Sequence, residues 1–201
     1  MTDEAKAPLE TITLEAAAPA RTAVVWLHGL GADGHDFAPL FRQAGPALAH
    51  TRVILPHAPV QPVTINGGMN MRAWYDIRSA DLEGDVDRPG IEASRARVAA
   101  LLEGLEAEGI PAERIVLGGF SQGAVLALWT GLGFPRRLAG IAALSGYLPG
   151  EPPLSEVQRA TPVLMAHGRQ DSLIPFALGE AARDRLGKLQ EQPPRWRDYP
   201  M

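Results

Sequence analysis

The sequence of 201 residues contains no cysteine, and this absence excludes several kinds of chemistry at once. Without cysteine there can be no disulfide framework, no thiolate metal site and no cysteine nucleophile. The five histidines show no pairing with acidic residues that would suggest a set of metal ligands. We therefore expect neither a metal nor a cofactor.

Long apolar runs and clusters of positive charge are also missing. No apolar stretch approaches the ~20 residues that a membrane span needs. The first twenty residues hold four acidic side chains and lack the apolar core of a signal peptide. The net charge is −4 and no run of Lys or Arg occurs, so nothing indicates a nucleic-acid partner. These absences predict a cytoplasmic protein without a membrane span.

What the chain does contain is a regular alternation of short apolar runs and helical patterns. This alternation predicts one α/β domain over residues 1–201, with a mostly parallel central sheet covered by helices on both faces. Helices are expected at 91–108 and 176–189, and Phe37, Leu40, Phe41 and Ala44 mark a shorter one. Strands are expected at 9–14, 23–27, 52–55, 115–119, 138–144, 162–166 and 195–199.

Residues 59–76 fit neither a helical nor a strand period, and they are predicted to form a long irregular loop. Loops of this length inside a compact domain are usually functional or disordered. The segment contains Met69, Met71 and Trp74, which are side chains that prefer burial, so disorder is disfavoured. We interpret the loop as a wall of a substrate pocket, with a structural Ω-loop as the alternative.

The most informative motif is Gly119-Phe120-Ser121-Gln122-Gly123. A short apolar run from Ile115 leads into this Gly-x-Ser-x-Gly pattern, and an apolar stretch at helical spacing follows it. A strand, a sharp turn and a helix are the context of a nucleophile elbow, which lifts a serine Oγ above the edge of a sheet. Ser121 is therefore the candidate nucleophile, with a glycine-rich structural turn as the alternative.

A serine nucleophile needs hydrogen-bond donors for the oxyanion that forms when it attacks. The predicted strand 23–27 runs directly into His28-Gly29-Leu30-Gly31. On this architecture the donors are the backbone N–H after the nucleophile and one from the loop after an early strand. The backbone N–H groups of Gln122 and Leu30 are our candidates. We expect His28 to fix the geometry of this loop rather than to act as the base.

The nucleophile also needs a base and a group that orients it. Asp171 follows a predicted buried strand and a glycine turn, at the same sheet edge as Ser121, and is the candidate for orienting the base. Its alternative role is as an N-cap of the following helix. His167 lies too close to the end of its strand to reach Ser121, and no histidine follows it. The base is therefore missing from these residues.

These motifs together resemble the carboxylesterase/phospholipase group of α/β-hydrolases, which includes acyl-protein thioesterases and lysophospholipases. The resemblance covers nearly all of residues 24–201. It rests on Leu27–Gly31, Pro56–Pro59 with Pro62–Asn66, Trp74–Asp76, Gly118–Gly123, His167-Gly168 with Asp171, and Tyr199–Met201.

The resemblance implies an α/β-hydrolase fold and a serine carboxylesterase that forms an acyl-enzyme. The expected substrates are small to medium acyl esters, with thioesters and lysophospholipids as further options, and a homodimer is left open. Ser121 would be the nucleophile, Asp171 would orient the base, and Leu30 and Gln122 would supply the oxyanion hole. An apolar acyl groove would be lined by Met69, Met71, Trp74 and Ile174.

In members of this group the Tyr-Pro-Met stretch runs into Gly-His, and that histidine is the base. We therefore expect the base beyond Met201, followed by a last helix that packs on the sheet. A catalytically inactive binding or scaffold protein is the alternative if the chain truly ends there. A dienelactone-hydrolase-like enzyme is a third interpretation, which Ser121 in place of a cysteine disfavours.

Overall fold

The computed structural model describes residues 8–201 and contains a seven-stranded sheet. The seven strands are β1 (Thr11–Leu14), β2 (Thr22–Leu27), β3 (Thr51–Pro56), β6 (Ile115–Phe120), β7 (Gly140–Leu144), β8 (Val163–Gly168) and β9 (Arg195–Tyr199). They lie side by side in the order β1-β3-β2-β6-β7-β8-β9. Strand β1, at one edge, runs antiparallel to β3, and the other pairs are parallel. The predicted, mostly parallel sheet is confirmed.

Helices cover both faces of this sheet, as predicted. They are α1 (Ala38–Gln43), α2 (Arg88–Ala107), α3 (Gln122–Gly133) and α4 (Phe176–Leu189). Side chains of α2, α3 and α4 bury a large core on one face, whereas Ala38 of α1 joins a smaller cluster with Trp26 and Leu55 on the other. None of the helices among the described residues is both long enough and apolar enough to cross a membrane.

Helices α2 and α3 owe their positions to different features of the sequence. Asp87 accepts a hydrogen bond from the Gly90 backbone N–H and so caps the start of α2, and Gly109 follows its end with a φ of 93°. Helix α3 is apolar over almost its whole length. Because α3 packs against β2, β6, β7 and α2, it is buried on all sides and forms the centre of the molecule.

The prediction of an irregular loop over 59–76 was wrong for part of that segment. Strands β4 (Val60–Val63) and β5 (Met69–Arg72) pair there as an antiparallel hairpin. Pro62 lies within the first strand opposite Asn70, and Gly67 and Gly68 turn the chain with positive φ angles of 67° and 76°. Most side chains of the hairpin are exposed, so no alternation of apolar and polar residues marks it.

The sheet gathers the candidate site residues at one edge. The carboxyl ends of parallel strands meet at the same edge of a sheet, where α/β proteins bind their ligands. Register pairs Leu27 of β2 with Gly119 of β6, and Leu144 of β7 lies between Phe120 and Ala166. The segments that follow β2, β6 and β8 therefore emerge side by side.

Candidate active site

Ser121 has the backbone conformation of a nucleophile elbow. Its φ and ψ angles are 53° and −119°, which few residues other than glycine adopt. The turn is held because the Ser121 N–H donates to the Leu144 carbonyl (2.9 Å) and its own carbonyl accepts from Ala124. Strain of this kind concentrates at functional sites, where the surrounding structure maintains it.

Two glycines let the strand and the helix approach each other around this turn. A Cβ on Gly119 would come within 3.0 Å of the backbone of Gly123. A Cβ on Gly123 would clash in the same way with the carbonyl oxygens of Leu27 and His28. Both positions therefore need glycine for steric reasons, as the sequence motif indicated.

The segments that carry the two candidate oxyanion donors both come close to Ser121. Gln122 is the first residue of α3, where a backbone N–H has no acceptor within the helix. The loop after β2 passes next to the serine, since a Cβ on Gly29 would lie 3.4 Å from the Ser121 Cβ. Leu30 follows in that loop, and Gly31 donates to the Arg72 carbonyl (2.9 Å). The predicted segments are thus brought together.

His28 is buried, and both of its ring nitrogens are engaged within the loops. Nδ1 lies 2.7 Å from the Gly29 carbonyl oxygen, and Nε2 accepts from the Ala58 N–H (3.0 Å). These partners require a neutral ring that donates from Nδ1. Burial lowers the pKa of His28 and favours the same neutral form. As expected, His28 fixes the geometry of the loop.

Asp171 holds a turn beyond β8 with one carboxylate oxygen and keeps the other near His167. Oδ1 accepts from the backbone N–H groups of Leu173 and Ile174, both at 2.9 Å. Oδ2 lies 3.7 Å from His167 Nε2, beyond hydrogen-bond length, and the side chain is 19% exposed. The alternative role of Asp171 as a helix cap does not hold, since Pro175 occupies the N-cap position of α4.

The four residues predicted to line an acyl groove divide into two pairs. Met69 is 64% exposed, and the Met71 sulfur lies 3.8 Å from where a Cβ on Gly31 would be, next to the candidate oxyanion loop. Trp74 and Ile174 lie instead in the main core, at 1% and 7% exposure. Both sit in short apolar stretches, which do not distinguish a pocket wall from a core position.

Trp74 belongs to a buried hydrogen-bond network around Ser121. Its backbone N–H donates to Gln122 Oε1 (2.8 Å), and its indole Nε1 donates to the His28 carbonyl (2.8 Å). The Ser94 hydroxyl donates to the Trp74 carbonyl, and Gln122 Nε2 donates to the Tyr75 carbonyl (2.7 Å). Neither Ser94 nor the side chain of Gln122 was predicted from the sequence to take part. A polar residue opening an otherwise apolar helix was the available signal.

A cluster of acidic and histidine side chains lies beside the loop that follows β2, although the spacing of the histidines in the sequence does not indicate it. Single atoms of Asp33, His35 and His57 come within 4.8 Å of one another, close enough to share a metal ion. Two of these side chains have structural partners. His57 Nδ1 accepts from the Gly34 N–H (3.2 Å), and Asp33 Oδ1 accepts from the His35 N–H (2.7 Å) and so caps a short helical turn.

Comparison with known proteins agrees with this arrangement. Residues 10–200 match the family described as Phospholipase/Carboxylesterase. The chain is 37% identical to acyl-protein thioesterase 1 of Yarrowia lipolytica, over 96% of this chain and 88% of that protein. It is 41% identical to acyl-protein thioesterase 1 of Neurospora crassa, over 83% of this chain and 73% of that protein.

Solved structures give the same result. Arabidopsis thaliana SOBER1 superposes with a TM-score of 0.83 at 32% identity, covering 90% of this chain and 89% of that one. Zea mays acyl-protein thioesterase 2 superposes with a TM-score of 0.82 at 28% identity, covering 94% and 89%. The chain therefore belongs to the phospholipase/carboxylesterase family of α/β-hydrolases.

Proposed function

We propose that this hydrolase is a serine carboxylesterase that cleaves small to medium acyl esters through an acyl-enzyme. The observation that carries the proposal is the backbone of Ser121, held at a φ of 53° between the Gly29-Leu30 loop and the start of α3. A serine placed in this way points its hydroxyl toward an incoming carbonyl. Nothing in the comparisons favours the catalytically inactive alternative.

In the proposed reaction, Ser121 Oγ attacks the substrate carbonyl carbon while a base removes its proton. The carbonyl oxygen becomes an oxyanion and accepts hydrogen bonds from the N–H groups of Leu30 and Gln122. The base then protonates the departing alcohol or thiol, and the acyl group remains on Ser121 as an ester. Water, deprotonated by the same base, hydrolyses that ester. Asp171 orients the base through its free oxygen Oδ2.

We propose that the base is a histidine that follows Met201. Among the described residues no histidine hydrogen-bonds to Ser121, and His28 and His167 have partners of their own. The Met201 carbonyl accepts from the Gln170 N–H (2.8 Å), so residue 201 lies beside the segment that leads into Asp171. A histidine a few residues after Met201 would therefore lie close to Oδ2 of Asp171.

We also propose that a helix after this histidine covers the sheet beside β8 and β9. Val163 and Met165 of β8 point into the main core, whereas Leu164 between them is 40% exposed on the opposite face. Apolar surface of this kind on a central strand is usually covered in a stable domain. A chain ending at Met201 should therefore aggregate and be nearly inactive, and an extended chain should be soluble and active.

The β4–β5 hairpin is the proposed wall for the acyl chain. It is attached to the oxyanion loop through Gly31 and Arg72, it presents Met71 next to that loop, and it exposes Met69 to solvent. Flexible methionine side chains suit an apolar substrate of variable shape. The relatives named acyl-protein thioesterase support thioesters as a further substrate class.

The test uses the complete gene product with p-nitrophenyl esters of increasing acyl length and the matching acyl thioesters. We expect turnover of both, with no activity above background in Ser121→Ala. The comparison variant is Ser145→Ala, because Ser145 directly follows the neighbouring strand β7 and also has a positive φ, 49°. Activity that survives in Ser121→Ala but is lost in Ser145→Ala would assign the nucleophile to Ser145 and overturn the proposal.

A further inference from the structure

We infer that Trp74 and the Gln122 side chain form a positioning bridge that holds the two oxyanion donors at a fixed separation. The inference rests on the proposed function, since it concerns the same serine. The bridge runs from Gln122 through Trp74 to the carbonyl of His28, two residues before Leu30. It therefore connects the two segments whose N–H groups are proposed to bind one oxygen atom.

The first link is the side-chain amide of Gln122. It is 2% exposed, and both ends are used, since Oε1 accepts from the Trp74 N–H and Nε2 donates to the Tyr75 carbonyl. One donor and one acceptor as partners fix the orientation of the amide. The residue that offers its backbone N–H to the oxyanion thus fastens the 74–75 segment with its side chain.

The second link is the indole of Trp74. Nε1 donates to the His28 carbonyl at 2.8 Å, and the Trp74 and His28 rings lie 5.2 Å apart. The His28 ring in turn holds Gly29 and Ala58 through its two nitrogens. The start of the oxyanion loop is therefore held both by the Trp74 indole and by the His28 ring.

The third link anchors Trp74 to helix α2. Ser94 of α2 is buried and donates its hydroxyl to the Trp74 carbonyl. The backbone N–H, the backbone carbonyl and the indole N–H of Trp74 are thus all hydrogen-bonded. By contrast, the buried indole N–H groups of Trp26 and Trp129 have no partner in the part of the chain that the structure describes. All three tryptophans are buried, so what distinguishes Trp74 is that its indole N–H is hydrogen-bonded.

Such a bridge matters because oxyanion donors act only at short range. They must lie ~2.7–3.1 Å from the position of the oxyanion, and loss of one donor lowers kcat by ~10²–10³. A shift of the Leu30 loop relative to α3 would lengthen one of the two bonds. The hairpin is hydrogen-bonded to the same loop through Gly31 and Arg72 and would move with it, so its apolar contacts with the acyl chain would be kept. The bridge should therefore affect kcat much more than KM.

The experiment compares Trp74→Phe with Trp129→Phe in the complete gene product. Both replacements remove an indole from the core, but only the first removes a hydrogen bond. The concentration of active sites is taken from the amount of fluorophosphonate that the protein binds covalently. The values of kcat and KM and the melting temperature are then measured. We expect kcat per active site to fall ~10–100-fold in Trp74→Phe with KM within ~3-fold, and to change less than ~2-fold in Trp129→Phe.

Two smaller changes keep the test informative if Trp74→Phe does not fold. Ser94→Ala removes one anchor, and Gln122→Glu places a carboxylate oxygen against the Tyr75 carbonyl. Both should lower kcat at nearly constant KM, with a larger effect for Gln122→Glu. Equal kcat per active site in Trp74→Phe and Trp129→Phe, or unchanged kcat in Ser94→Ala and Gln122→Glu, would overturn the bridge. Esterase activity that persists in Ser121→Ala would instead overturn the proposed function.

Discussion

Two pairs of glycines show how differently the two halves of the candidate site are built. Gly119 and Gly123 flank Ser121 where there is no space for a side chain, and a Cβ at either position would clash with backbone. Gly67 and Gly68 form the tip of the β4–β5 hairpin, and a Cβ on either would meet nothing within 4 Å. The first pair serves close packing, and the second serves only a turn with positive φ.

The other side chains of these two regions differ in the same way as their glycines. Around Ser121 the network of Trp74, Gln122 and His28 is buried and hydrogen-bonded throughout. On the hairpin, Val60 is 63% exposed and Met69 is 64% exposed. A packed, bonded region can hold reacting atoms in place, whereas an exposed, apolar one can adapt to a substrate. We therefore expect changes around Ser121 to alter the rate and changes on the hairpin to alter substrate choice.

After loss of Ser121 itself, Asp171→Asn should have the largest effect on the rate. An amide there still accepts hydrogen bonds but no longer stabilises the protonated base or its correct tautomer, and such a loss lowers kcat by about 10⁴-fold. The measurement is kcat for a p-nitrophenyl ester in the complete gene product, with circular dichroism to verify folding. A kcat within about threefold of the unchanged protein would reduce Asp171 to a turn residue.

Gly123→Ala should lower kcat by about 10²–10³-fold, the loss expected when an oxyanion donor is displaced. The new methyl group would meet the carbonyls of Leu27 and His28 and push α3 away from the loop. Gly104→Ala is the matched control, because Gly104 lies within α2 with open space around it. That control should keep its kcat and gain roughly 0.5–1 kcal/mol of stability. Equal kcat in both variants would contradict the packed elbow.

Met69→Ala and Met71→Ala should change substrate choice rather than the rate for short esters. We expect kcat/KM for long acyl esters to fall about tenfold while acetate esters change less than about twofold, since apolar contact with the chain is what is lost. Val157→Ala is a control with a similarly exposed apolar side chain outside the hairpin. A uniform loss for all acyl lengths would place the methionines in the catalytic region instead.

The smallest effect concerns pH and the buried ring of His28. Burial lowers its pKa in the folded state, with nearby Asp33 opposing and His57 and Arg72 reinforcing that shift. The unfolded state therefore takes up a proton first as pH falls below about 6.5. The free energy of unfolding should decrease over that range.

Urea titrations at pH 7.5 and 5.5 would measure this decrease. It should be smaller in His28→Gln than in the unchanged protein, because the group that titrates has been removed. The exposed His50 provides the control variant His50→Gln, which should keep the original decrease. Equal decreases in all three proteins would show that His28 does not contribute.

The buried half of the molecule could largely be predicted from sequence, and the exposed half could not. Strand 115–119 and helix 176–189 match the observed β6 and α4 because their apolar residues are the ones that the core buries. The hairpin at 60–72 carries no such spacing, since few of its side chains are buried. Its strands are held by pairing with each other and by the contact between Gly31 and Arg72, which are distant in sequence.

The same limit applies within the site. The surroundings of Ser121 follow from a local motif, so the elbow and the Gln122 donor could be proposed from ten consecutive residues. The roles of Trp74 and Ser94 depend on contacts across 48 and 20 positions of the chain, respectively. An apolar residue in a loop looks the same in sequence whether it lines a groove or closes a core. For that reason the sequence predicts a groove residue at Trp74, which the structure buries in the core.

The most direct test of the account is to identify the residue that reacts with a fluorophosphonate. The complete gene product is incubated with the reagent, digested and mapped by mass spectrometry, with Ser121→Ala treated in parallel. We expect one adduct, on Ser121, and loss of labelling together with esterase activity in the variant. An adduct on another residue, or undiminished activity in Ser121→Ala, would contradict the assignment of Ser121 as the nucleophile.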